Sequence, residues 1–117
     1  MKGKLLALVS SAALATMTLL AGTGAASAAD EAAARALARQ SDCFKCHSVE
    51  KKKDGPAWHS VAQKYQGKPD AEAKVTQHIT SGEKVKFEDG HEEDHTIVKS
   101  KDPKAIKNLV DWILSLR

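Results

Sequence analysis

Past residue 17 this chain of 117 residues contains no methionine, and the only cysteines anywhere are Cys43 and Cys46. Two cysteines exclude a disulfide-rich scaffold. Three prolines and seven glycines exclude collagen-like and low-complexity chains. Aromatic residues make up 4% of the chain: Phe44, Trp58, Tyr65, Phe87 and Trp112. A small domain so poor in large rings has a limited core of its own. A bound group would help to fill its centre. No segment shows the period-two alternation of a half-buried strand. Val85-Lys86-Phe87 is too short, and Thr96-Ile97-Val98 stands alone. What is present, 42% apolar and 28% charged residues, suits one small globular domain.

The net charge of +3 is mostly a property of the first residues. Lys2 and Lys4 open a segment in which Leu5 to Leu20 is apolar apart from Ser and Thr. Ala26-Ser27-Ala28 then offers a small-residue cleavage site. Residues 1–28 are therefore expected to be a secretory signal peptide, and 29–117 the mature domain. An uncleaved membrane anchor is the competing reading, because the apolar stretch approaches spanning length. The small-residue ending followed at once by a polar, helix-like segment favours cleavage. Losing Lys2 and Lys4 removes two of the three net positive charges. No basic face with interleaved aromatics remains, so nucleic acid is not an expected partner. The run Lys51-Lys52-Lys53 reads as a solvated loop.

Four helices are expected. Asp30 to Gln40 is alanine-rich, free of Gly and Pro, and acidic in its first turn. Ala33, Ala36 and Leu37 are its expected inner face. Trp58, Val61, Ala62 and Tyr65 fall at helical spacing after Gly55-Pro56. Asp70 to Ser81 carries the stripe Ala71, Val75, Ile79, with Asp70 as cap and Gly82 as stop. Asp102 to Leu116 begins with a capping Asp and Pro103 at the first helical position. Ile106, Leu109, Val110, Ile113, Leu114 and Leu116 form its broad apolar face, with Trp112 near one edge. The stretch from Glu83 to Lys101 holds no expected element. A loop of that length inside a small domain is usually functional or mobile.

The motif with the most chemistry is Cys43-Phe44-Lys45-Cys46-His47. C-x-x-C-H is a haem attachment signature. Two thiols add across the two vinyl groups of a haem, and the next residue places an imidazole under the iron. Export from the cytoplasm agrees with such attachment. A thioredoxin-like redox pair expects a strand before the motif, and here an alanine-rich helix precedes it. A zinc site would need two further histidines. The expected cofactor is one covalently attached haem c with its iron. It would supply the apolar plate that the short core lacks.

Around that motif the order of segments resembles the class I cytochromes c, particularly the small bacterial type that includes cytochromes c-551 and c8. The resemblance runs over residues 30–117. It rests on the first helix, Cys43 to His47, Gly55-Pro56-Ala57-Trp58, Val61-Ala62-Gln63-Lys64-Tyr65, Ile79-Thr80-Ser81-Gly82 and Leu109-Val110-Asp111-Trp112-Ile113-Leu114-Ser115. It implies an all-α class I cytochrome c fold, about four helices around the covalent haem, with crossed terminal helices. It implies that the carbonyl of Pro56 accepts a hydrogen bond from the His47 imidazole and fixes its orientation. Trp58 stands where relatives often have Tyr. It either reaches a haem propionate or packs in the core. Phe44 is expected to pack and Lys45 to face water.

The departure from the family lies on the far side of the iron. The family places a methionine there, near the position of Thr96 when counted back from Trp112, and this chain has none. The alternatives are a histidine, an open or water-bound site, or a weaker ligand such as lysine. His95, followed by apolar Ile97 and Val98, is the preferred candidate. His91, set among Asp89, Glu92 and Glu93, is the second. His59 and His78 read as surface or packing histidines. The acidic residues around His91 read as a solvated loop before a divalent-metal site. Imidazole in place of sulfur lowers the potential, since the axial ligand is one of its main controls.

These residues favour a periplasmic one-electron carrier working between periplasmic or membrane-associated redox proteins. No nucleophile or carboxylate arrangement suggests an enzyme. Lys45 and Lys51 to Lys53 are a candidate docking patch, and the acidic loop a candidate face for a basic partner. The chain is expected to be a monomer or a homodimer, without a membrane span after cleavage. The alternative function is a small-molecule-binding haem protein or haem enzyme with an open or displaceable distal site.

Overall fold

In the computed structural model, which describes Gly3 and residues 28–117, four α-helices carry the domain. The rest of the expected leader, residues 1–2 and 4–27, lies outside the described residues. Helix α1 spans Glu31–Gln40, and the Asp30 carboxylate accepts from the N–H of Ala33 at 3.0 Å. Such a cap contributes about 1 kcal/mol. Glu31 and Arg35 pair at i,i+4, 2.7 Å apart. The buried face is Ala34, Leu37 and Ala38, with the two alanines only 1% and 0% exposed. Ala33 and Ala36, expected on that face, are exposed instead. The spacing i, i+3, i+4 is kept but rotated by one residue.

Helix α2 is Trp58–Tyr65, α3 Ala71–Ser81 and α4 Pro103–Ser115. Gly82 ends α3 at φ 67°. Asp102 caps α4, its carboxylate accepting from Lys104 N–H at 2.9 Å. Asp70 holds the N-cap position of α3, its carbonyl accepting from Lys74 N–H at 3.0 Å, but its side chain makes no capping bond. Its carboxylate pairs with Lys74 at 2.9 Å instead. Helix α4 is the hub on which α1, α2 and α3 pack. Its buried residues are Leu109, Val110, Trp112 and Ile113. Trp112 thus lies inside the apolar face, edge-on to Trp58 with ring centres 5.5 Å apart. The terminal helices are clamped at one end. Asn108 accepts from the N–H of Asp30 and donates to its carbonyl, both at 2.8 Å. Small residues on α1 opposite large ones on α4 let the two helices approach closely.

The stretch from Glu83 to Lys101 is not structureless. Strands β1, Lys84–Lys86, and β2, Glu92–Asp94, pair antiparallel, with Lys84 opposite Asp94 and Lys86 opposite Glu92. Gly90, at φ 91°, turns the ribbon. No apolar alternation announces it, because both faces are largely solvated. Opposed charges hold it, as in the 2.7 Å pair of Lys84 and Asp94. Past the ribbon, Val98 enters the core and its N–H donates to the Ile79 carbonyl at 2.8 Å.

Candidate functional site

A single 3-10 turn, Cys43–Lys45, follows α1 and carries the two cysteines to one edge of the domain. The turn begins at Asp42, a non-glycine residue at φ 60° held by Lys99 at 2.8 Å. Both thiols are free and half-buried. Burial pushes the Cys43 thiol above its ordinary pKa. Phe44 packs with its ring centre 5.1 Å from Trp58, and Lys45 is exposed.

His47 is held on three sides. Its Nδ1 donates to the Pro56 carbonyl across 2.8 Å, which leaves Nε2 as the free lone pair. Trp58 stacks against the ring at 5.6 Å. Gly55 lies so close that a Cβ there would sit 2.6 Å from the ring. Burial holds the imidazole below the ordinary histidine range and so unprotonated, partly offset by the Pro56 bond. Trp58 is buried among Phe44, His47 and Trp112, the arrangement of the core-packing alternative.

Facing His47 is His95. Their ring centres are 6.2 Å apart and their planes are inclined at 54°. Burial also holds His95 below the ordinary range, with the neighbouring His78 and His47 adding to the effect. Among the described residues its buried Nδ1 has no hydrogen-bond partner. The gap fits a metal. A bond of about 2 Å from each imidazole nitrogen, and about 1 Å more to each ring centre, gives a separation of about 6 Å. Two residues past His95, Ile97 is 50% exposed, an apolar side chain of the type a haem face would cover.

His91 is placed differently. It sits exposed on the ribbon, stacked on Phe87 at 4.3 Å. Its Nδ1 contacts Asp89 and its Nε2 lies 3.2 Å from Glu93. Asp89 above all raises its pKa. Both nitrogens are engaged and the ring favours its charged form, which no metal accepts as a ligand. The surrounding acids are also engaged. Lys84 pairs with Asp94 and Lys52 with Glu88. Among the described residues no group of three or more His, Cys, Asp or Glu is arranged to hold a metal ion. The candidate docking lysines are partly tied internally, since Lys53 Nζ donates to the Phe44 carbonyl at 2.6 Å and Lys45 lies 3.4 Å from Asp42.

Three contributors were not legible in the sequence as site residues. Gly55 seats the His47 ring. Ser41, wholly buried, accepts from the N–H of Lys99 at 2.9 Å and fastens the end of the distal segment to α1. His78, read as a surface or packing histidine, lies 4.0 Å from His95, ring centre to ring centre. A glycine beside a proline hints at close approach. The other two contacts join residues far apart in the chain and leave no local pattern.

The Cytochrome c family model matches residues 31–117. The chain is 38% identical over 90 residues to cytochrome c2 of Rhodocyclus tenuis, covering 76% of this chain and 95% of that protein. It is 36% identical over 75 residues to cytochrome c-551 of Pseudomonas denitrificans, covering 64% of this chain and 87% of that protein. Among solved structures, class 1 cytochrome MtoD from Sideroxydans lithotrophicus ES-1 superposes with a TM-score of 0.73 at 63% identity, over 76% of this chain and 98% of that one. Cytochrome c552 of Nitrosomonas europaea superposes at 0.56 with 31% identity, over 71% and 99%.

Proposed function

This chain belongs to the cytochrome c family, as a small class I member with one covalent haem c, an electron-transfer protein and not an enzyme; we propose that its iron is held between His47 and His95 and that it shuttles electrons in the periplasm. The observation that carries the ligand assignment is the 6.2 Å separation of the two neutral imidazoles.

Bound haem supplies a metal that gains and loses one electron. The chain attaches it and sets its surroundings. Cys43 and Cys46 would hold the haem through thioether bonds to its two vinyl groups, the S–H hydrogen of each going to the neighbouring vinyl carbon. The Pro56 carbonyl holds the tautomer of His47 and strengthens its donation. Trp58 packs beside that imidazole, excluding water. His95 supplies the second nitrogen in place of the absent methionine. Imidazole donates more strongly than thioether, which favours the ferric state and lowers the potential.

Residues 1–28 fit a cleaved export signal, which supports the periplasmic setting. Among the described residues no helix is long and apolar enough to cross a membrane. Its partners in this reading are periplasmic or membrane-associated redox proteins. A second reading, a displaceable distal site that admits small molecules, draws support from the unpartnered Nδ1 of His95. That ring lacks the tether His47 has.

Low-temperature EPR and near-infrared MCD of the ferric holoprotein test the assignment. A low-spin signal of two nitrogen ligands, lost in His95→Ala and kept in His91→Ala, is expected. A high-spin spectrum indifferent to both substitutions would remove His95 as ligand. Carbon monoxide binding rapidly to the ferrous protein would favour the second reading.

A further inference from the structure

A ligand imidazole is ordinarily oriented through its second nitrogen. His47 follows that rule with Pro56, whereas among the described residues the buried Nδ1 of His95 has no hydrogen-bond partner, and the ring's backbone contact is only with its own neighbour Thr96. Something else must fix the plane of His95. The C-terminal end of α3 surrounds it. The N–H of His95 donates to the carbonyl of Glu83 at 2.9 Å. Ile97, two residues on, packs at Gly82, where a Cβ would sit 3.2 Å from its Cδ1. Against the ring itself lies His78, at 4.0 Å and inclined by 42°. His78 is not free to turn, because its Nδ1 donates to the Glu83 carboxylate. Glu83 therefore holds this histidine segment twice, by its carbonyl directly and by its carboxylate through His78.

We propose that His78, locked by Glu83, is the positioning residue that sets the plane of the His95 imidazole, serving the distal side as the Pro56 carbonyl serves the proximal side. The inference rests on His95 being the sixth ligand. The consequence is specific. The angle between two axial imidazole planes governs the spread of low-spin ferric g-values. A ring braced from outside also resists displacement by an incoming ligand. His78 and Glu83 act in series, so removing either should remove the same effect.

The test uses the full holoprotein and the variants His78→Ala, Glu83→Ala and their double. Their side chains are 37% and 43% exposed, and His78 stands on a helix surface, so the domain should fold. Far-UV circular dichroism and haem content serve as controls. All three variants should stay low-spin but shift the largest g-value in the same direction. They should also speed carbon monoxide binding to the ferrous form by on the order of tenfold, as loss of an outer partner does. The double variant should match His78→Ala, since serial effects are not additive. His78→Phe, which keeps a ring without the Nδ1 tether, should behave like Glu83→Ala. Wild-type g-values and rates in His78→Ala would overturn the brace, as would additive effects. A high-spin His78→Ala protein would overturn it in another way, by making His78 a ligand. If His95→Ala keeps the wild-type spectrum, the ligand assignment itself fails. If His95→Ala loses it while the His78 and Glu83 variants change nothing, only the brace fails.

Discussion

Gly55 lies against the face of His47, with the position of a Cβ 2.6 Å from Cε1 and 2.9 Å from Nδ1 of the ring. The ring cannot retreat easily, because Pro56 holds its Nδ1 and Trp58 stacks against it. Gly55→Ala should therefore push the imidazole off its axis. Overpacking of this kind costs about 1–3 kcal/mol. The expected outcome is a lower urea midpoint together with a high-spin fraction in the ferric spectrum. A purely low-spin variant of unchanged midpoint would show that the seat is softer than its geometry implies.

Ser41 joins the end of α1 to the segment that carries His95. Its hydroxyl is wholly buried and accepts from the N–H of Lys99. Ser41→Ala leaves that N–H without a partner, at a cost of about 1–3 kcal/mol. Lys99→Ala keeps the N–H but removes the 2.8 Å pair with Asp42, which is exposed and contributes little. Urea unfolding of the two holoproteins should separate them, with Ser41→Ala clearly the weaker. Equal midpoints would mean that the hydroxyl is replaced by water.

The helices were legible because their local signals agree with their burial. Pro103 after Asp102, and Gly82 after Ser81, mark ends that the structure keeps. The ribbon was not legible, because its strands answer each other by charge across five intervening residues rather than by an apolar period. The haem side of the site reads from five consecutive residues. The distal side does not, because His78, Glu83 and His95 meet only when α3 and the ribbon are folded. The absence of methionine said what the sixth ligand is not. Only the facing of the two rings favours one histidine over the other.

The ribbon should respond to pH. Asp89 raises the pKa of His91, and the His91 N–H groups lower that of Asp89. A histidine raised on folding contributes stability fully below its ordinary value, and loses it as pH rises through the folded value. The depressed carboxylate contributes above its ordinary value and loses that contribution as pH falls through the folded one. The ribbon should therefore be firmest between the ordinary carboxylate and ordinary histidine ranges. Amide exchange at Gly90 and Phe87, corrected for intrinsic rates, should slow at pH 5 relative to pH 8. His91→Gln should abolish the difference. Stronger protection at pH 8 would sink the argument.

Removing the haem should cost the fold itself. The two imidazoles face each other across a gap of the width an iron needs, and Ile97, two residues past His95, lies half exposed. The remaining core is small: three residues of α1, four of α4, and Trp58, Val75, Ile79 and Val98 between them. A domain of this size buries too little apolar surface to offset its chain entropy by a wide margin. Haem adds a large apolar plate and ties it to the chain by two covalent bonds. A Cys43→Ser, Cys46→Ser protein, or the chain made without haem, should therefore lose most of its far-UV helical signal at 25 °C. Helix α4 should survive longest, since its cap, its Pro103 and its contacts with α1 do not touch the cofactor. Native-like helicity with a cooperative thermal transition in the haem-free chain would show that the helices hold one another, and that the haem is a passenger rather than part of the core.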